Sequence, residues 1–209
     1  MEQHKHGLRV FDETGILLLE VGPHMVRDSP EFAEKIGAIA ASWSQAEVNL
    51  NCLFAVLLGT TREEAETELK KYPTAAKATC RAREIAAESL EGAELASLTE
   101  ILDQLDKVRA KRNRLQHDVW ARKANDSQKL FAIYSNEYIA LVTKLMAING
   151  SRDGNRAGLA IGAAMTFTAN VSSSYSVEDL ESIDTEINSV SKLLFDAMSQ
   201  RIMQRLARE

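Results

Sequence analysis

The stretch KVRAKRNRLQHDVW, residues 107–120, places an arginine inside an apolar helical stripe. Apolar side chains at steps of three and four residues form this stripe: Leu98, Ile101, Leu105, Val108, Leu115 and Val119. The position that completes the series is Arg112. A buried guanidinium costs on the order of several kcal/mol unless a nearby group compensates its charge. The pattern therefore indicates either a structural ion pair or a site with a chemical role.

Three side chains at this point have types and a spacing that suit a phosphate ligand. Arg112 is permanently charged and can fork onto phosphoryl oxygens as negative charge accumulates on them. His117 carries an imidazole, which can take or give a proton near neutral pH. Asn113 lies one helical turn before His117 and is able to orient either the phosphate or the imidazole. The pattern indicates a phosphate site, and the alternative for His117 is a helix C-terminal cap that interacts with the last carbonyl groups.

Positive charge is concentrated around them, because Asp118 is the only acidic residue between Lys107 and Lys123. Four basic residues are predicted to hold a phosphate backbone: Arg109, Lys111, Arg114 and Arg122. The whole chain has a formal net charge of −5, so any contact with a polyanion must be local. The alternative is a solvated helix face, the usual role of such a charge run.

A second charged residue inside an apolar stripe lies in the first long helix, and this one is acidic. That helix is predicted to begin after the N-cap Ser29 and to end at Gly59. At 100° per residue Glu47 falls only about 40° from Trp43, inside the apolar stripe. We expect Glu47 to be the partner of Arg112, since a buried guanidinium is tolerable beside a carboxylate. A role for Glu47 as catalytic acid is the alternative. Trp43 and Trp120 are predicted as core aromatics that support the site, with base stacking as the other interpretation.

Period and turn signals predict the remaining elements. Residues 8–21 favour a β-hairpin around Asp12–Gly15. Helices are predicted from Thr61 to residue 71, from about residue 74 to 90, from about 94 to 119 and from Ser176 to the end. Residues 129–134 and 164–171 are predicted as strands, residues 149–158 as a loop, and residues 138–148 satisfy both the helical and the strand period.

The 209 residues suffice for one main domain with a core. Cys52 and Cys80 form no metal-like pair and are predicted to be buried, reduced thiols. His4, His6 and His24 lack companion ligands and are assigned to a solvated terminus. No secretion signal and no apolar run long enough to span a bilayer is found, so we expect a soluble, cytoplasmic protein without membrane contact.

Several familiar catalytic motifs do not occur in the sequence. These are GxxxxGK[ST], GxGxxG, HExxH and GxSxG, and there is no Cys and His ligand spacing. Nucleotide hydrolysis by a P-loop, zinc proteolysis and α/β-hydrolase chemistry are therefore poorly supported. No cofactor and no metal is predicted.

RNRLQH, Arg112 to His117, resembles the signature of the HEPN superfamily. There an arginine, usually followed by a polar residue, precedes a histidine by four to six intervening positions at the end of a bundle helix. The first helix with SWSQAE and the last helix opening VEDL agree with a prokaryotic branch of that superfamily. The resemblance covers the helical parts, about two thirds of the chain. One departure is Asp118, where many relatives have glycine.

The resemblance implies a mainly α fold, a HEPN-like up-and-down helical bundle with a small β addition. We expect an N-terminal β-hairpin segment at 1–28 and a helical domain at 29–209 with a strand-containing insertion at about 128–171. The implied activity is metal-independent cleavage of RNA at the interface of a homodimer, with Arg112, Asn113 and His117 as catalytic residues. The implied setting is a toxin or phage-defence system with an antitoxin or regulatory partner. The alternative is a non-catalytic module of the same fold that binds a nucleotide, RNA or a protein, because fold does not establish activity.

Overall fold

The computed structural model describes residues 7–151 and 154–207. The described part of the chain is mainly helical, with eight helices and one small antiparallel sheet. Its internal contacts divide it into two compact units. One, the sheet unit, holds the described residues up to Ile36 together with Asn113–Glu181. The other, the helical unit, holds Gly37–Arg112 and the described residues from Ser182 onward.

The elements follow one another along the chain with short connections. The strands are β1 (Leu8–Phe11), β2 (Leu17–Val21), β3 (Val119–Lys123), β4 (Leu130–Ile133) and β5 (Ser174–Tyr175). The helices are α1 (His24–Arg27), α2 (Pro30–Leu58), α3 (Arg62–Leu69), α4 (Ala75–Ser89), α5 (Gly92–His117), α6 (Ser135–Gly150), α7 (Arg156–Asn170) and α8 (Val177–Leu206). Residues 138–148, for which the sequence allowed either a helix or a strand, lie in helix α6.

Side-chain caps fix several of the helix starts that the sequence predicted. The Thr61 hydroxyl accepts a hydrogen bond from the backbone N–H of Glu64, whose carboxylate in turn accepts from the N–H of Thr61. Ser176 and Asp179 make the same reciprocal pair before α8. Such a box satisfies two of the donors that a helix N-terminus leaves open. The predicted starts at Thr61 and Ser176 are confirmed.

The helical unit buries the apolar faces of α2, α4, α5 and α8. Trp43, Phe54 and Leu105 are among its fully buried side chains. One polar contact joins α2 to α8 inside this core: the Asn49 side-chain amide donates to the backbone carbonyl and to the hydroxyl of Ser191, at 3.0 and 2.9 Å. Because a buried amide is costly without partners, this contact fixes the register of the two helices.

The predicted hairpin is confirmed as β1 and β2, which pair antiparallel. Its turn is built on Asp12, whose carboxylate accepts from the backbone N–H groups of Thr14 and Ile16, both at 2.8 Å. Gly15 follows with φ of 85°, a conformation that glycine adopts without strain. The hairpin does not stand alone, because β2 also pairs with β3.

The sheet has the strand order β1-β2-β3-β4-β5, and every neighbouring pair is antiparallel. A cluster of buried apolar side chains covers one of its faces: Val10, Leu19, Val21, Ala121, Phe131, Ile133 and Val171. Tyr138 of α6 and Phe167 of α7 pack against this cluster. Helices α6 and α7 therefore cover this face of the sheet and stabilise the strands that follow α5.

Two element predictions were wrong. Residues Ala164–Val171, predicted as a strand, lie in α7 and its C-cap. The β-forming Thr, Phe and Val residues there are outweighed by packing, since Ala164 and Phe167 meet the sheet from one helical face. The predicted helix to Val119 ends at His117, and Val119 opens β3. Trp120, Arg122 and Lys123 accordingly belong to a strand.

Two burial predictions were also wrong. His24 was assigned to a solvated terminus, yet it is 2% exposed in α1, with its Nε2 3.1 Å from a carboxylate oxygen of Glu20. Cys52 and Cys80 are free and helical, as expected, but both are exposed. Both thiols are therefore accessible to solvent. His4 and His6 lie outside the described residues.

Candidate functional site at the end of helix α5

Helix α5 carries the three predicted catalytic residues in its last two turns. Arg112 and Asn113 are half-buried, whereas His117, the last residue of the helix, is exposed to solvent. Asn113 and His117 are four positions apart, so they occupy adjacent turns on one side of the helix. The imidazole is therefore accessible to a ligand, whereas the Asn113 amide one turn earlier is half-buried.

Arg112 lies in the helical unit against an aromatic ring. Its guanidinium carbon is 5.5 Å from the centre of the Trp43 ring, and Trp43 is only 1% exposed. Burial lowers the pKa of Arg112, and the negative charge of Glu47 opposes that shift. Trp43 thus contacts the guanidinium, and Glu47 lies near enough for its charge to act on Arg112.

The C-terminus of α5 is fixed to the beginning of α6. The Ser135 hydroxyl donates a hydrogen bond of 2.6 Å to the backbone carbonyl of His117. Carbonyl groups at a helix C-terminus have no partner within the helix, so this contact satisfies one of them. It also fixes the backbone from which the imidazole projects. Both residues belong to the sheet unit.

Arg114 and Asp118 form the best-defined ion pair beside His117. The Nε of Arg114 lies 2.9 Å from a carboxylate oxygen of Asp118, whose side chain is 8% exposed. Burial acts to lower the pKa of Arg114, but the hydrogen bond and charge of Asp118 outweigh it, so the pKa is raised. The aspartate that stands where the resembled family often has glycine is therefore a structural partner of Arg114.

Two tyrosines complete the surroundings of Arg114. Its guanidinium carbon lies 3.9 Å from the centre of the Tyr134 ring. Tyr175 of β5 packs edge-on against Trp120, with ring centres 5.9 Å apart, and burial raises the pKa of the Tyr175 hydroxyl. Trp120 is buried in the sheet unit and Trp43 in the helical unit, so each serves its own core.

The four residues predicted to hold phosphate each have a partner in the protein. Arg109 pairs with Asp106 at 2.9 Å, and Lys111 pairs with Glu186 at 2.6 Å. Arg114 pairs with Asp118, as described. Arg122 donates to the hydroxyl of Ser29 at 2.5 Å from its place on β3. A phosphate would therefore have to compete with carboxylates already in contact with three of these cations.

Sequence reasoning missed Tyr134, Ser135 and Tyr175. Tyr134 and Ser135 lie where β4 passes into α6, a boundary that the sequence left between strand and helix. Tyr175 reaches the site through the pairing of β5 with β4. The Ser135 to His117 contact joins residues 18 positions apart. An aromatic residue at the end of the predicted strand 129–134 is a sequence signal that could have drawn attention to Tyr134.

Neither a metal cluster nor a membrane span is found within residues 7–151 and 154–207. Those residues include no group of three or more histidine, cysteine, aspartate and glutamate side chains placed to bind a metal ion. No helix among them has both the length and the apolar character needed to cross a membrane. Comparisons with known proteins found no family model, no curated protein and no solved structure that matches the chain.

Proposed function

We propose that this chain is a metal-independent endoribonuclease with a HEPN-like arrangement of its helices and with Arg112, Asn113 and His117 as catalytic residues. The observation that carries the proposal is the end of α5: an exposed imidazole as the last helical residue, with an amide one turn before it. Five positions before the histidine, the same helix carries an arginine held by Trp43 and balanced by Glu47.

The proposed reaction is transfer of the phosphoryl group within the RNA. The imidazole of His117 removes the proton of a ribose 2′-hydroxyl, and that oxygen attacks the adjacent phosphorus. The bond from phosphorus to the 5′-oxygen breaks, and this oxygen takes up a proton. The products are a 2′,3′-cyclic phosphate and a 5′-hydroxyl. Arg112 neutralises charge that accumulates on the phosphoryl oxygens, and Asn113 orients the phosphate or the imidazole.

One histidine does not readily serve as base and acid in the same step. A homodimer would supply the second imidazole, and the resemblance to HEPN proteins favours such a pairing of protomers. The same resemblance is the basis for a toxin or phage-defence setting with an antitoxin or regulatory partner. Arg109, Lys111 and Arg122 would bind the RNA backbone once phosphate displaces their present partners, whereas Arg114 stays paired with Asp118.

A non-catalytic binding or assembly module is the second candidate, and a specific observation favours it. Arg112 is held against a buried tryptophan beside a carboxylate, and Arg109, Lys111 and Arg114 already pair with carboxylates. Such contacts are also what a purely structural arginine and a solvated charged surface would show. The two functions differ in whether RNA is cut.

The deciding experiment incubates purified protein with mixed-sequence RNA in EDTA and analyses the product ends. Cleavage that leaves 2′,3′-cyclic phosphates, is lost in His117→Ala and is kept in the neighbouring exposed variant Gln116→Ala supports the ribonuclease. Cleavage that His117→Ala leaves unchanged would overturn the proposed mechanism. Intact RNA with the wild-type protein, at concentrations where it binds RNA, would favour the binding module instead.

A further inference from the structure

Tyr134 is an exposed aromatic residue at the junction of β4 and α6. The residue is 45% exposed, so much of its surface is in contact with water. The backbone contacts on both sides are regular: its carbonyl accepts hydrogen bonds from the N–H groups of Glu137 and Tyr138 as α6 begins. The ring is therefore presented to solvent from a rigid position.

The guanidinium of Arg114 contacts one face of the Tyr134 ring. The guanidinium carbon of Arg114 lies 3.9 Å from the centre of the Tyr134 ring, which is the distance of direct stacking. Arg114 is itself fixed by Asp118 at 2.9 Å, and its Nη2 lies 3.5 Å from the carbonyl oxygen of Ala132. A cation on one ring face leaves the exposed remainder of the ring open to another planar group.

The residue that follows Tyr134 in the chain contacts the candidate catalytic histidine. Ser135, the residue after Tyr134, donates its hydroxyl to the carbonyl of His117 at 2.6 Å. A side-chain hydrogen bond thus links the start of α6 to the end of α5 within the sheet unit. A nucleotide whose phosphate reached the imidazole would bring a base within reach of the Tyr134 ring.

We propose that Tyr134 is a stacking platform for one unpaired base of a single-stranded RNA beside His117. This inference rests on the proposed function, because it takes RNA as the ligand of the His117 site. Stacking of a base on an aromatic ring is tolerant of sequence, since every base has a π-face. A duplex would be excluded from this contact because its bases are already stacked. The substrate class is therefore single-stranded RNA with weak base preference.

The test measures binding, not cleavage. The probe is a short single-stranded RNA with 2′-O-methyl groups, which block attack by the 2′-oxygen, and one 2-aminopurine whose fluorescence falls on stacking. We expect wild-type protein and Tyr134→Phe to quench this fluorescence and to bind the probe equally well. Tyr134→Leu should lose the quenching and about tenfold in affinity, which is the scale of one stacked base.

Phe11→Leu is the matched control, because Phe11 is an aromatic of almost the same exposure, 44%, on β1. It should bind the probe as the wild type does. Equal affinity and equal quenching in Tyr134→Leu and the wild type would overturn the proposal, as would equal binding of a duplex probe. The result is independent of catalysis: loss of binding in Tyr134→Leu supports the platform even if His117→Ala leaves cleavage unchanged.

Discussion

The guanidinium of Arg112 lies over the indole ring of Trp43 in the helical unit, with its carbon 5.5 Å from the ring centre. The charge of Glu47 acts on the same guanidinium and offsets part of the effect of burial on its pKa. An arginine in an apolar stripe is tolerated here because two different groups compensate it. The contact also determines what mutations at these positions should do.

Arg112→Met and Glu47→Gln should not be additive in their effect on stability. Either change alone leaves one charge in a half-buried place without its counter-charge, whereas the double variant removes both. Residues in one ion-pair network couple by about 0.5–3 kcal/mol. Denaturant unfolding of the four proteins measures this coupling. Additive losses would show that Glu47 does not compensate Arg112.

Expression of the wild-type chain at high level should arrest bacterial growth if it cleaves RNA. His117→Ala and Arg112→Met should each restore growth, because one removes the proton carrier and the other the charge that faces the phosphate. Gln116→Ala, a change of an exposed neighbour on the same helix, should remain toxic. Growth curves with equal expression levels measure this. A toxic His117→Ala protein would contradict the proposed role of the imidazole.

Asp118→Asn should make RNA binding more dependent on salt. Asp118 holds Arg114 at 2.9 Å, so removing its charge frees that cation to neutralise a phosphate. One additional phosphate contact on a single strand steepens the slope of log affinity against log salt by about 0.7. Binding of the uncleavable RNA across a salt series measures the slope. The control is Glu63→Gln on α3, which changes net charge equally and should leave the slope unchanged.

Acid should remove one contribution to stability that depends on Glu20. Burial acts to raise the pKa of Glu20, but hydrogen bonds and charges from Arg9 and His24 outweigh it, so the pKa in the folded chain is lowered. A carboxyl group whose pKa is lowered by folding stabilises the fold at pH values above its pKa in the unfolded chain. This stability is lost as the pH falls through its pKa in the folded chain. The wild type should therefore melt higher than Glu20→Gln near neutral pH.

The two melting temperatures should converge once the pH falls below the lowered pKa of Glu20 in the folded chain, where the carboxyl is protonated in both states. Arg9 and Arg122 face Glu20 across the sheet as its register partners, and His24 lies 3.1 Å away. Glu13→Gln, an exposed change in the hairpin turn, should melt as the wild type does at both pH values. A pH-independent difference between the wild type and Glu20→Gln would show that the ion pair does not contribute.

Much of the helical framework could be predicted because its signals are local. The capping residues Thr61 and Ser176, the Asp12 turn and the helical step of apolar residues each act within a few positions. The placement of Arg112 and Glu47 in apolar stripes could be predicted for the same reason, since helical period alone sets which face a residue occupies. The sequence by itself thus determined helices α2, α3, α4, α5 and α8, the hairpin, and the line Arg112, Asn113 and His117 along α5.

Only the tertiary structure decided what surrounds that line. That α5 stops at His117, that Val119 opens β3 beside the hairpin, and that Ala164–Val171 is helical all depend on strand pairing and on packing between distant segments. The contacts of Ser135 and Tyr134 with the end of α5 join residues separated by 18 and 20 positions. No period or cap encodes such contacts, because they form only when the sheet brings the end of β4 to the end of α5.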